Sequence, residues 1–252
     1  MPDFTTATTA PALVPDRILR LGAVVLATDL TIEGDLAALM PPGAALHISR
    51  IPYANPTTPE NLRAMAPHLA AAVDLILPGL PLAALGFGCT SGGVMIGDAQ
   101  VAATVASVRP GVPVCAPAQA AVQGLAHLGA RRIAVLTPYV AQTTGPVLDY
   151  FTAAGLEVVR AHGLGMDDDR KIARLSPDAI IQAALQADDP QAQALFVSCT
   201  ATPVLPLIPQ IEALLGKPVL SSNQALGWAM LRAAGLSTQG PGRLFTAGVA
   251  AA

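Results

Sequence analysis

Apolar and polar positions alternate along the chain in short and long blocks. Ala23-Val24-Val25-Leu26-Ala27-Thr28, residues 82–87, Ile133-Ala134-Val135-Leu136-Thr137 and Ala194-Leu195-Phe196-Val197 are short apolar runs bounded by small or polar residues. Runs of this length predict buried strands. Residues 45–49 and 156–160 predict further strands beside them. Longer stretches suit helices: residues 94–108, 118–128, 224–234 and a segment ending near Leu77. Two helix starts are legible. Thr57 with Glu60 fits a capping box with Pro59 in the first turn, and Ser176-Pro177-Asp178 places a cap before a first-turn proline. Strands alternating with helices predict parallel sheets covered on both faces.

The pattern occurs twice. Gly111-x-Pro113-Val114-x-x-x-x-Gln119-Ala120 recurs with the same spacing as Gly216-x-Pro218-Val219-x-x-x-x-Gln224-Ala225. Each copy follows a strand closing on Cys-Thr and precedes an Ala/Leu-rich helix. The expected fold is α/β, with two pseudo-symmetric lobes. Each lobe is a four-stranded parallel sheet flanked by helices, and the active site lies in the cleft between them. The expected layout is a flexible N-terminal tail over 1–16, a first lobe over 17–117, a second over 118–236 and a C-terminal tail over 237–252. The chain can cross between lobes near its last helix.

Chemistry enters at the strand ends. Gly86-Phe87-Gly88-Cys89-Thr90-Ser91-Gly92-Gly93 closes one apolar strand, and Ser198-Cys199-Thr200-Ala201 closes another. Ligands of open α/β sheets bind at carboxyl strand ends. A helix N-terminus lowers a thiol's pKa and offers N–H groups to an anion. A helix is expected after each cysteine, so Cys89 and Cys199 are read as facing, activated partners in one site. Tyr139, after the first strand of the second half, can polarise a carboxylate or carbonyl. Asp29 holds the corresponding turn of the first half, as a helix cap, a site residue or both. In Asp167-Asp168-Asp169-Arg170 the first two acids read as a solvated turn and cap.

Composition removes other classes. The 252 residues are 52% hydrophobic and 12% charged, with a net charge of −3, so nothing attracts nucleic acid or an anionic membrane. Residues 69–88 are the most membrane-like, but Asp74, Pro78, Gly79 and Pro81 interrupt them. The first twelve residues have neither a basic start nor an apolar core, so a cytoplasmic protein is expected. Neither lysine, Lys171 or Lys217, is placed for Schiff-base chemistry. Three cysteines without metal spacing predict neither a zinc site nor, in the cytoplasm, a disulfide. Cys115 reads as ordinary core. Gly86-x-Gly88 lacks the third glycine of a dinucleotide loop, since Ser91 holds its position. No P-loop or serine-hydrolase motif occurs.

The sequence resembles the aspartate/glutamate racemase superfamily, in the branch of maleate cis–trans isomerases and arylmalonate decarboxylases. The resemblance runs from about Leu21 to Gly235. It is carried by Gly88-Cys89-Thr90-Ser91-Gly92, Thr137-Pro138-Tyr139, Ser198-Cys199-Thr200 and Gly216-Lys217-Pro218-Val219-Leu220-Ser221-Ser222-Asn223. The decarboxylases keep only the later cysteine, so Cys89 favours isomerase or racemase chemistry. The resemblance implies that Cys89 adds to an alkene carbon and Cys199 serves as acid and base. Tyr139, with backbone N–H groups of Thr90, Ser91, Thr200 and Ala201, holds a substrate carboxylate. It implies no cofactor or metal, and a homodimer or higher homo-oligomer.

Two positions depart from the maleate isomerases, which carry asparagine where this chain has Asp29 and Asp169. Thr28-Asp29-Leu30-Thr31 is similar to a branch associated with ectoine breakdown. Acids in a carboxylate pocket repel a diacid, so maleate is expected to be a poor substrate and a monoacid or donor-bearing ligand a better one. The expected function is a cofactor-independent isomerase of a small carboxylic acid. The alternatives are an amino-acid racemase using a two-thiol proton relay, and a non-catalytic small-molecule binding protein.

Overall fold

A computed structural model describes residue 6 and residues 9–247 of the chain. Residues 1–5, 7 and 8 of the expected N-terminal tail, and 248–252 of the expected C-terminal tail, lie outside the described residues.

The first sheet holds β1 (Leu19–Leu26), β2 (Ala44–Ile51), β3 (Ala84–Gly88) and β4 (Val114–Cys115) in the order β2-β1-β3-β4. The second holds β5 (Arg132–Tyr139), β6 (Glu157–Met166), β7 (Ala194–Val197) and β8 (Val219–Ser221) in the order β6-β5-β7-β8. Every pairing is parallel, with Val25 opposite Gly88 and Leu136 opposite Val197. The apolar runs are the central strands, as their lack of polar alternation requires. Both cysteines therefore leave their sheets at the carboxyl edge of the strand next to the first.

The helices of the first half are α1 (Ile32–Leu39), α2 (Pro59–Arg63), α3 (Leu69–Asp74), α4 (Thr90–Ile96), α5 (Asp98–Val108) and α6 (Pro117–His127). Those of the second are α7 (Ala141–Ala153), α8 (Asp169–Ile172), α9 (Pro177–Ala187), α10 (Ile208–Leu215), α11 (Ser222–Ala233) and α12 (Arg243–Thr246). The helix expected over 94–108 is broken at Gly97, whose φ of 94° stops α4 before α5 begins.

Two helices exchange sheets. α6 leaves the first sheet and packs on β8, while α11 leaves the second and packs on β3, α1 and α6. The contacts are close. A Cβ on Gly124 of α6 would sit 2.9 Å from Leu220 of β8, and one on Gly227 of α11 would sit 2.5 Å from Leu39 of α1. Every α11 residue from Ser222 to Leu231 is buried, so its apolar side chains serve both lobes.

One expectation changes. α2 is capped by Thr58, whose side chain accepts from the Asn61 N–H, and not by Thr57. The Thr57 hydroxyl is drawn away to Asp169. Past residue 236 the chain makes an irregular return to α12. Leu244 and Phe245 are buried, Gln224 Nε2 donates to Pro241 O at 2.7 Å, and the Arg243 N–H donates to Glu212. Among the described residues no helix is long and apolar enough to cross a membrane, and all three cysteines are free.

Candidate active site

Cys89 is the extended residue that caps α4, with φ −150° and ψ 117°. Its sulfur accepts the Gly92 N–H at 3.2 Å and lies 3.9 Å from Ser91 Oγ. Glycine is needed at 92, because a Cβ there would stand 2.8 Å from the sulfur. Thr90 and Ser91, in the first turn, have N–H groups without intrahelical acceptors.

Cys199 is built differently. No helix starts after it; a turn and an irregular stretch run to Val204 before the chain coils again. Its φ is 84°, a left-handed conformation that costs a non-glycine residue about 1–3 kcal/mol. Bonds from the other lobe hold it there. Thr31 Oγ1 donates to Ala201 O at 2.8 Å, and Thr200 Oγ1 reaches Gly88 O at 3.5 Å. Asn223 Nδ2 donates to Thr200 O at 2.7 Å and to Asp35 Oδ2 at 2.8 Å.

Tyr139 closes β5 and is buried; its phenol receives Ser198 Oγ at 3.5 Å and favours ionisation of the Cys199 thiol. Burial, then the neighbouring Cys199 and Cys89, raises the phenol well above its ordinary value. Tyr139 thus feels both thiols, which brings the two strand ends into one site.

Asp29 and Asp169 belong to the same site. Asp29 Oδ1 accepts the N–H groups of Thr31 at 2.8 Å and Ile32 at 3.0 Å, so the capping role is real. Its Oδ2 is buried and has no partner. Asp169 accepts Thr28 Oγ1 at 2.7 Å and Thr57 Oγ1 at 3.2 Å. Burial first, and then the Asp29 charge among the remaining causes, moves Asp169 up from its usual range.

Burial overrides the lowering expected of both thiols. Burial, reinforced by the charge of Asp169, pushes Cys89 up to about 12, and the Gly92 N–H only partly offsets this. Cys199 is raised well above its ordinary value by burial, then by Asp169 and Asp29. Desolvation outweighs the helix terminus at Cys89, and both cysteines are buried, at 4% and 6% exposure. Cys115 lies in β4 and is raised by burial alone.

Sequence reasoning missed Tyr53. Its Oη is buried without a partner, and the fields of Asp169, Cys89 and Cys199 all reach it. It follows β2 by two residues, so its place at the strand edge was the available signal. Asn223, which closes the motif over 216–223, also leaves its Oδ1 unpartnered. Among the described residues no group of three His, Cys, Asp or Glu can hold a metal ion.

The sequence pattern of a family described as arylmalonate decarboxylase matches residues 95–245. The chain belongs to the arylmalonate decarboxylase family. Within this family its likeness to maleate isomerases is extensive. It is 30% identical to the maleate isomerase of Nocardia farcinica over 238 residues, covering 89% of this chain and 94% of the relative. It is 32% identical to that of Geobacillus stearothermophilus over 145 residues, a match spanning 57% of this chain and 58% of the relative. The structure is similar to a cysteine-to-serine variant of the Nocardia farcinica maleate cis–trans isomerase holding a covalently bound succinylcysteine intermediate. That match has a TM-score of 0.83 at 28% identity, over 90% of this chain and 98% of the other. This member of the arylmalonate decarboxylase family is a cysteine-dependent isomerase of a small carboxylic acid, and the binding-protein alternative is set aside.

Proposed function

We propose that the protein interconverts the cis and trans forms of a small unsaturated carboxylic acid by reversible thiol addition. Cys89, as thiolate, forms an S–C bond to one alkene carbon. The π pair moves to the neighbouring carbon beside the carboxylate, where the Cys199 S–H delivers its proton. The former double bond is now single and rotates. Cys199, as thiolate, takes a proton back, the double bond reforms and the S–C bond breaks. Tyr139 and the N–H groups of Thr90, Ser91, Thr200 and Ala201 hold the carboxylate as charge accumulates beside it.

The observation that carries this reading is the convergence of two thiols, from matching strand ends of two lobes, on one phenol. The succinylcysteine in the Nocardia farcinica relative supports it, as does the retention of both cysteines here. We also propose a homodimer or higher homo-oligomer, as the resemblance read from the sequence implies, and a cytoplasmic setting. The test offers the enzyme maleate and other small cis-unsaturated acids and follows the alkene protons by NMR. Conversion to the trans form, with a substrate adduct on Cys89 in the Cys199→Ser variant, is the expected result. A mass spectrum placing the adduct on any other residue rejects the assignment of the nucleophile.

A further inference from the structure

The polar groups of the site fall into two sets. Tyr139 and the N–H groups around the strand ends are donors, suited to one carboxylate. Asp29 and Asp169 are acceptors, and the charges of both reach both thiols without being among the principal influences on Tyr139. Asp169 has both oxygens occupied by threonine hydroxyls. Asp29 is 1% exposed and spends only Oδ1 on the chain; Oδ2 is buried and free.

Among the described residues neither carboxylate has a lysine, arginine or histidine partner. Arg170 feels the Asp169 charge, but its guanidinium is spent on Asp168. Arg50 comes near, but it spends its guanidinium on Glu33 at 2.8 Å and on the carbonyls of Leu26, Ala27 and Asp29. A dianion bound beside the thiols would bring a second carboxylate against two buried acids, a repulsion that low dielectric magnifies.

We infer that the substrate is a cis-unsaturated monocarboxylate carrying an N–H donor at its other end, a protonated amine or a primary amide, which binds Asp29 Oδ2 beside Asp169. The inference rests on the cis–trans chemistry proposed above and names its substrate class. The donor satisfies the free carboxylate oxygen. A protonated amine also offsets the charge that opposes thiolate formation at Cys89, so binding and activation are coupled.

The test compares kcat/KM for maleate, for its monoamide and for (Z)-4-aminobut-2-enoate, by NMR, in wild type and Asp29→Asn. The asparagine keeps an oxygen for the Thr31 and Ile32 N–H groups. Wild type is expected to favour at least one N–H-bearing acid over maleate by about tenfold or more, the range of a hydrogen bond to a charged group. Preference for the amine identifies a charged donor, and preference for the amide a neutral one. Asp29→Asn is expected to shift the ratio towards maleate by about tenfold. Should that variant fail to fold, the same ratio is read in Asp169→Asn. Maleate turned over as well as both other acids, or a ratio unmoved by the substitution, overturns the inference and leaves the thiol chemistry standing. Failure of the wild type to isomerise any of the three removes the cis–trans reading, and the inference with it.

Discussion

Cys89 and Cys199 occupy the same place in two copies of one sheet, yet the chain turns away from them differently. Cys89 is extended and opens a helix, and its sulfur takes a backbone N–H. Cys199 is left-handed and opens no helix; it takes the Ala201 N–H and lies against the Tyr139 phenol, restrained by Thr31 of the other lobe and by Asn223 of α11. The difference fits the proposed division of roles. Both sulfurs take a backbone N–H, but only Cys89 also stands at a helix N-terminus, where a sulfur that must carry charge is stabilised, so Cys89 suits the nucleophile. A thiol held far from ionisation, beside a phenol that can steady a brief thiolate, suits proton transfer. Symmetry delivers two thiols, and in the proposed mechanism the local departures from it divide their work.

Removing either thiol tests that division most severely. Cys89→Ala and Cys199→Ala are each expected to lower kcat by about 10³-fold or more, with the circular dichroism spectrum unchanged. The two losses should be distinguishable. An adduct should accumulate only when Cys199 is the residue replaced, and equal adduct in both variants would erase the distinction. Next in size is Tyr139→Phe, which removes a donor where charge collects. A loss of about 10²-fold in kcat/KM is expected, and an unaltered value would detach the phenol from the site.

Electrostatics sharpens the comparison further. Asp169 raises both thiols, so Asp169→Asn makes each thiolate easier to form. Alkylation of Cys89 rises with pH towards its raised value of about 12. In the variant the curve should move to lower pH, by about one unit or less for loss of one neighbouring charge. A curve that stays put or moves to higher pH would show that Asp169 is not charged in the free enzyme. The smallest effect concerns the Cys199 loop alone. Thr31→Val deletes the 2.8 Å bond to Ala201 O. A stability loss of about 1 kcal/mol is expected by denaturant unfolding, with a fall in kcat that the Cys89 adduct rate does not share.

The sheets were legible because central parallel strands are written as unbroken apolar runs, and Ala23 to Leu26 or Ala194 to Val197 admit no other role. Both cysteines were legible for the same reason, as the first reactive groups after such runs. Local pattern failed where tertiary contacts decide. A helix after Cys199 was expected by analogy with Cys89, but Pro203 disfavours helical backbone at Thr202 and keeps the stretch irregular. Thr57 and Thr58 are equally good caps on paper, and the reach of Asp169 across the cleft selects between them. The thiols were read as activated because a helix terminus is visible in sequence, whereas the burial that outweighs it is not. Tyr53 had no pattern to mark it, since its neighbours in space come from α8 and both strand ends.

The exchange of α6 and α11 between the sheets has a consequence for how the molecule can move. Each lobe's hydrophobic layer is finished by a helix that the other lobe's sheet sends across. Swinging the lobes apart would drag Ser222 to Leu231 out of a fully buried seat, so a wide hinge is not among the inexpensive motions of this chain. The thiols must instead be reached by small displacements of the loops at the strand ends. The interlock also denies either half an independent existence: a piece ending before α6 keeps its four strands but loses the helix that covers β3. Duplication is written in the sequence, and the present molecule can no longer be divided along it.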